Sequence, residues 1–394
     1  MRLADGDKPF DEGFIKKVFK GELKAGEVYP DYYFDVAKKL ADAVAKGLGG
    51  SSFKATDYRN TLKAHLDHNI YAFSAAKSLA ALEQYRSKLT DDTGVVSYGK
   101  FRDAVTEVDV EFNDVHLQTE YNGAVASSQM ADKWEKLQQH DMLEYRTVGD
   151  NRVRKTHKEL DGKVFAKDDP IWNKIYPPND WNCRCTVIPA KQGAKSDNPA
   201  TTATGEIKPY FQRNVGKSKV IYTADHPYFQ NMTAKGLKVS ELSATKNYNM
   251  RTVDSIYNGK GELPELKAKT QAAAEAWFNK TATGGKIKVQ TKDGLNVDLD
   301  DAFFNKIIAS NNTEYAGRAV YAHKAPEVMQ SPDEVWSNFH RNELQTTYIK
   351  YYQDKPYMVA VKDKGGNMQF ETFHAADRSG VIEQKRSGVL KYRK

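Results

Sequence analysis

The sequence predicts a multidomain protein. A mainly α N-terminal domain ends in an irregular Cys/Pro/Trp segment, and a small α+β domain with an antiparallel sheet follows. Three observations predict this. No proline interrupts the 139 residues between Pro30 and Pro170, so nothing there forces a helix to break. Both cysteines of the 394-residue chain, Cys183 and Cys185, close a stretch dense in Trp, Pro, Arg and His. From about Gly284 the apolar residues change from helical spacing to alternation, the period of a half-buried strand.

The helical region spans about 10–140. Tyr32, Phe34, Val36, Leu40, Val44 and Leu48 recur at helical spacing, and Gly47, Gly49 and Gly50 end that helix. Another helix is expected from Tyr58 to about Lys88. A further stripe runs through Val110, Val115, Leu117, Tyr121, Ala124, Val125, Met130, Trp134 and Leu137. Such stripes are core-facing, in a bundle or in helices extended along a partner.

Residues 145–190 lack helical periodicity. Pro177-Pro178 fixes extended backbone. Trp172 and Trp181 supply packing area, and the Arg184 guanidinium suits bidentate pairing. The segment therefore reads as a rigid wedge closing a domain that spans 1–190. Residues 191–210 are a linker by composition, and 211–284 read as a connecting helical module.

The last domain spans 285–394. Lys286–Gln290 and Leu295–Leu299 alternate as strands, and Asp301–Ser310 is a helix candidate. Ser331-Pro332-Asp333-Glu334 carries the signature of a helix start, with His340 at that helix's end. Tyr357–Val361 and Met368–Phe373 are strands joined by a turn over Asp363–Asn367, and Val389–Tyr392 is a last strand. Helices before an antiparallel sheet indicate α+β.

Bulk properties bound the function. Hydrophobic content is 40% and charged content 28%, as in globular proteins with buried cores. No apolar run of about 18 residues predicts a membrane helix. The opening MRLADGDKPF lacks an apolar signal core. The net charge of +7 favours polyanionic partners. No G-x-x-x-x-G-K-[ST] motif occurs, which argues against a P-loop ATPase.

Two clusters suggest chemistry. Cys183 and Cys185 present two thiolates, and His157 adds a nitrogen. Zinc takes such ligands, usually four in structural sites, with Asp161 or Asp180 as the candidate fourth. The other reading makes the cysteines small buried hydrophobes and bonds His157 to the backbone. The second cluster lies in the tail. Were RNA its substrate, metal-free cleavage would need a base, an acid and a cation near the phosphate. His374, His323 and His340 are the proton carriers available. Arg378, Arg386 and Lys350 are the phosphate partners, and Tyr348, Tyr351 and Thr372 can hydrogen-bond a phosphate or stack a base. The expected catalytic set is His374, Arg386, Arg378, His323, Tyr348 and Thr372. Each has a plainer role open to it: Arg386 in a surface ion pair, the tyrosines in the core, His340 against a helix dipole. Residues 285–394 carry 17 Lys+Arg and 14 Asp+Glu, a net of +3, which suits RNA.

Two resemblances sharpen this. Arg154 and His157, Leu160-Asp161-Gly162, Pro177-Pro178 and Trp181-Asn182-Cys183-Arg184-Cys185 resemble the signature of Mu F-like phage head morphogenesis proteins. Glu120-Tyr121-Asn122, Ala124-Val125-Ala126 and Gln129-Met130-Ala131 resemble the long helix that precedes it. This covers about residues 10–190. It implies a minor head protein located in the virion, made in the host cytoplasm, with the portal, the capsid interior and phage DNA as partners. The tail resembles the phage members of the barnase–EndoU–colicin–RelE ribonuclease superfamily. The matching residues are Ser331–Trp336, Tyr348–Tyr352, Lys355-Pro356-Tyr357, Thr372-Phe373, Arg378 and Arg386–Tyr392. That resemblance implies a toxin-like effector with RNA as substrate and an immunity protein as a further partner.

Overall fold

A computed structural model describes residues 12–110, 115–191, 196, 204–259, 263–310, 317–375 and 379–394. The chain forms two units. One comprises Met1–Ser51 and His65–Gly236, the other Ser52–Ala64 and Leu237–Lys394. No helix among the described residues is long and apolar enough to cross a membrane.

The first unit is built on helices α1 (Glu12–Phe19), α2 (Pro30–Leu48), α3 (Tyr58–Arg86, from His65 onward), α4 (Tyr98–Val110) and α5 (Leu117–Leu137). The expected glycine-marked end of α2 holds. Pro30 sits in the first turn of α2, where its missing N–H is no loss. Gly49 follows the last turn at φ +77°, the left-handed geometry that glycine adopts without a Cβ penalty. Helix α2 lies close against α5: a Cβ on Gly47 would come within 2.6 Å of Ser128 Cβ. From the expected α5 stripe, Leu117, Ala124, Met130, Trp134 and Leu137 are buried. Val115 is not; it precedes α5 and is exposed. Inside this unit Lys77 Nζ meets Glu120 Oε2 at 2.5 Å, and both side chains are enclosed. Burial lowers the Lys77 pKa, opposed by the Glu120 charge beside it.

The stretch expected to be irregular contains a small sheet. Strands β3 (Met142–Arg146), β4 (Val164–Ala166) and β5 (Thr186–Pro189) pair antiparallel in the order β4-β3-β5. Strands β1 (Thr90–Asp91) and β2 (Gly94–Val95) form a separate two-stranded pair. Helices α6 (Lys155–Leu160) and α7 (Trp172–Ile175) fill the connections of the β3–β5 sheet. The strands escaped notice because each has five residues or fewer, too short for a period to show. The Pro177–Pro178 bond is cis, so the chain turns there rather than running extended. Residues 209–234 also belong to this unit. Gly216 abuts Trp134, and Phe73 stacks on Tyr222 at 3.8 Å. Most of the 191–210 linker lies outside the described residues.

In the second unit β6 (Ile287–Gln290) and β7 (Asn296–Leu299) form a hairpin. Five longer strands follow: β8 (Glu334–His340), β9 (Glu343–Tyr351), β10 (Pro356–Lys364), β11 (Asn367–Ala375) and β12 (Val389–Arg393). They make an antiparallel sheet in the order β11-β10-β9-β8-β12. Its core includes Val335, Tyr348, Val359 and Phe373, packed with Phe278, Phe303 and Val328. Residues Asp301–Phe303 and Phe304–Ile308 are helical as expected.

The helix start expected at Ser331–Glu334 is overturned: β8 begins at Glu334, and His340 closes a strand. The reason is tertiary. The Asp333 N–H donates to the Ile349 carbonyl, and the Asp333 carboxylate accepts from the Tyr351 N–H at 2.8 Å. Asp333 thus serves a neighbouring strand instead of a helical turn. The β8–β9 turn is Arg341–Asn342, both at positive φ, a type I′ geometry normally signalled by Gly.

Candidate functional site

The first unit gathers His157, Cys183 and Cys185. His157 lies on α6, and both cysteines lie in the loop that enters β5. His157 Nδ1 is 3.8 Å from Cys183 Sγ and 3.6 Å from Cys185 Sγ, and the three ligand atoms all lie within 4.8 Å of one another. All three side chains are buried, and the cysteines are not bridged. The Cys183 thiol is drawn down, first by the hydrogen bond from Cys185, then by His157 and the backbone N–H groups of Asn179 and Cys185. Cys185, the proton-holding partner, is pushed up.

Two arginine clamps hold this loop. Arg154, just before α6, reaches Asp180 Oδ2 at 3.1 Å and donates to the Trp181 carbonyl. Arg184 makes the expected bidentate pair, with Asp150, at 2.7 and 2.8 Å. Arg184 thereby lowers the Asp150 carboxyl to about 2. Neither expected fourth ligand joins the cluster. Asp180 is occupied by Arg154 and by the Trp181 N–H, and Asp161 accepts from the Thr147 N–H.

In the second unit the expected catalytic residues divide. Thr372 and His374 lie two apart on the edge strand β11, so they share a face. Arg318 Nη1 donates to Thr372 Oγ1 at 3.3 Å and to the Phe373 carbonyl at 3.4 Å. Lys306 Nζ donates to the Glu371 carbonyl at 2.6 Å. His374 is held down to about 4 by burial and then by the charges of Arg318 and Lys385. It is therefore a neutral imidazole at pH 7. Arg318 was missed because a lone arginine after Gly317 has no sequence signal; only the fold brings it to β11.

The other candidates sit elsewhere. His323 lies on the 3-10 helix Ala319–Lys324, edge-on to Trp277, and is lowered to about 4 by burial with Lys269 and Lys324 nearby. Its Nδ1 is buried with no hydrogen-bond partner among the described residues. Tyr348 is fully buried and donates to Asp293 Oδ1, while Lys391 Nζ donates to Oδ2 of the same carboxylate. Arg386 is not at the surface but enclosed. It is bidentate to Glu334 at 2.9 and 2.8 Å, and also meets Glu383 and the Arg251 carbonyl. Glu334 accepts further bonds from Trp336 Nε1 and Tyr351 Oη. Arg378 lies outside the described residues.

Comparison with known proteins agrees with this division. Residues 35–188 match the family described as phage Mu protein F like protein. Residues 274–393 match the family described as phage-Barnase-EndoU-ColicinE5/D-RelE like nuclease. Among curated proteins, the Mu-like prophage FluMu F protein of Haemophilus influenzae is 41% identical over 71 residues, 18% of this chain and 17% of that protein. The "putative capsid assembly protein F" of Escherichia phage Mu is 50% identical over 44 residues, 11% of this chain and 10% of its own. The matched stretches thus span a small fraction of these relatives. No solved structure matches. Residues 35–188 are thus similar to the Mu F-like family, and residues 274–393 to nuclease-like domains of the phage barnase–EndoU–colicin E5/D–RelE type.

Proposed function

We propose that the chain is a phage head morphogenesis protein, associated with the portal and the capsid interior, whose C-terminal domain is a metal-independent ribonuclease carried in the particle. The head role is supported by the match over 35–188 and by the capsid-assembly name of the phage Mu relative. The ribonuclease reading rests on one observation: a neutral, half-buried His374 beside Thr372 and the Arg318 guanidinium on the edge of a nuclease-like sheet.

The chemistry follows. Neutral His374 accepts the proton of the RNA 2′-hydroxyl as that oxygen attacks phosphorus. Arg318 balances the charge that grows on the phosphoryl oxygens, and Thr372 holds one of them by a hydrogen bond. The bond to the 5′ oxygen breaks, and that oxygen takes a proton from water. The products are a 2′,3′-cyclic phosphate and a 5′-hydroxyl. Arg386 and Tyr348 act from inside, fixing β8, β9 and β12.

The test uses full-length protein and RNA in EDTA. Wild type is expected to release cyclic-phosphate ends, and His374→Ala to lose about 100-fold or more of the rate, the scale of one general base. Intact RNA with wild type refutes the nuclease reading; cleavage undiminished in His374→Ala refutes the assigned base. One observation favours a second reading, a structural domain that only binds RNA. The same Arg318 that meets Thr372 also caps a carbonyl of the edge strand, a purely structural task. RNA that is retained but uncut would establish that reading.

A further inference from the structure

We propose that His157, Cys183 and Cys185 bind one zinc ion through Nδ1 and two Sγ atoms, with the fourth coordination position open to solvent. The proposal stands apart from the ribonuclease reading and concerns only the first unit.

Geometry carries it. Zinc bonds of about 2.3 Å to sulfur and about 2.0–2.1 Å to nitrogen, at tetrahedral angles, place S and N about 3.6 Å apart. The observed separations are 3.8 and 3.6 Å. An ordinary buried histidine turns a ring nitrogen to a carbonyl or carboxylate; here Nδ1 faces two sulfurs that are free and unbridged. The backbone adds to this. N–H groups of Asn179 and Cys185 point at Cys183 Sγ, the outer-shell pattern that steadies a ligating thiolate. Tyr145 Oη donates to Asn179 Oδ1 at 2.8 Å and lies within hydrogen-bond reach of Cys185.

The protein supplies three ligands. Among the described residues no fourth His, Cys, Asp or Glu joins the group, and Asp161 and Asp180 are held by other partners. Cys183 and Cys185 also line a groove of about 630 Å³, together with Tyr121, Gln129, Lys133 and Arg184. Water can therefore reach the fourth position. A bound ion would tie α6 to the loop entering β5, a link that otherwise depends on the half-exposed Arg154 clamp.

The test uses full-length protein purified under reductant without chelator. The expected result is about one equivalent of zinc per chain. Both thiols should resist a thiol reagent until a chelator is added, and His157→Ala should lose the metal. Because the variant can misfold, the wild type is also stripped and reloaded with cobalt(II), which should give the charge-transfer absorption of cobalt bound to two thiolates. Zinc below about a tenth of an equivalent, with no such band on adding cobalt(II), overturns the proposal. So does zinc retained in full when both cysteines are replaced by serine.

Discussion

Replacing Arg386 with Met isolates the consequence of burying a charge. Arg386 has no exposed surface and Glu334 is 3% exposed. Removing the cation leaves the Glu334 carboxylate in the same enclosure, and a buried pair broken on one side loses about 3–5 kcal/mol. Two donors remain on Glu334, Trp336 Nε1 at 2.8 Å and Tyr351 Oη at 2.9 Å, so the expected loss is at the low end, about 3 kcal/mol. For a unit of this size, that lowers its calorimetric transition by about 6–12 °C. The double variant Arg386→Met, Glu334→Gln removes both charges. It should recover about 2 kcal/mol of the loss, because a neutral amide tolerates the same pocket. The assay is scanning calorimetry of wild type, both single variants and the double variant. A single-variant loss under about 1 kcal/mol, or a double variant no better than Arg386→Met, would refute the argument that Arg386 is a buried anchor.

Other outcomes follow from the packing and the charges. Gly216→Ala puts a Cβ 2.2 Å from Trp134 Cβ and should cost about 1–3 kcal/mol in urea unfolding; an unchanged midpoint contradicts the packing. Asp150→Asn removes the exposed partner of Arg184 and should leave the melting temperature essentially unchanged; a clear drop means the pair is not solvent-screened. His374 has its folded pKa lowered from 6.5 to about 4. The unfolded chain therefore binds more protons between those values. The stabilisation is full above pH 6.5 and lost as pH falls toward 4, so His374→Gln should flatten part of the acid-side decline in melting temperature. Identical declines in the two proteins would exclude that titration. If His374 is the base, RNA cleavage should hold steady from pH 8 to 5 and fall only near pH 4, about its folded pKa.

How much of this was legible depends on how far apart the determining contacts lie. Helices α2 and α3 and the stripe of α5 could be read because their signals are local: periodic apolar residues, no internal proline, and glycines at an end. The β10–β11 hairpin could be read because Gly365 and Gly366 mark its turn. Strand β8 could not, because Ser331–Glu334 looks like a cap until β9 is beside it. It also shows no alternation, since Glu334 to Ser337 are all buried. The cysteines and His157 were recognised as a group from their types, yet 26 residues separate Cys183 from His157; only the fold sets them at ligand distance. Arg386 had the opposite fate. It read as a phosphate partner or as half of a surface ion pair, whereas its buried partner Glu334 stands 52 positions away. Arg318 was silent in the sequence for the same reason, since Thr372 lies 54 positions on.

The claim on which the account turns is that this polypeptide is a component of a phage head. Mass spectrometry of purified, nuclease-treated particles, after chemical cross-linking, tests it most directly. The account predicts peptides of the chain in intact particles and cross-links from its residues 35–188 to the portal protein. Particles that package DNA normally while containing no copy of the chain would contradict it.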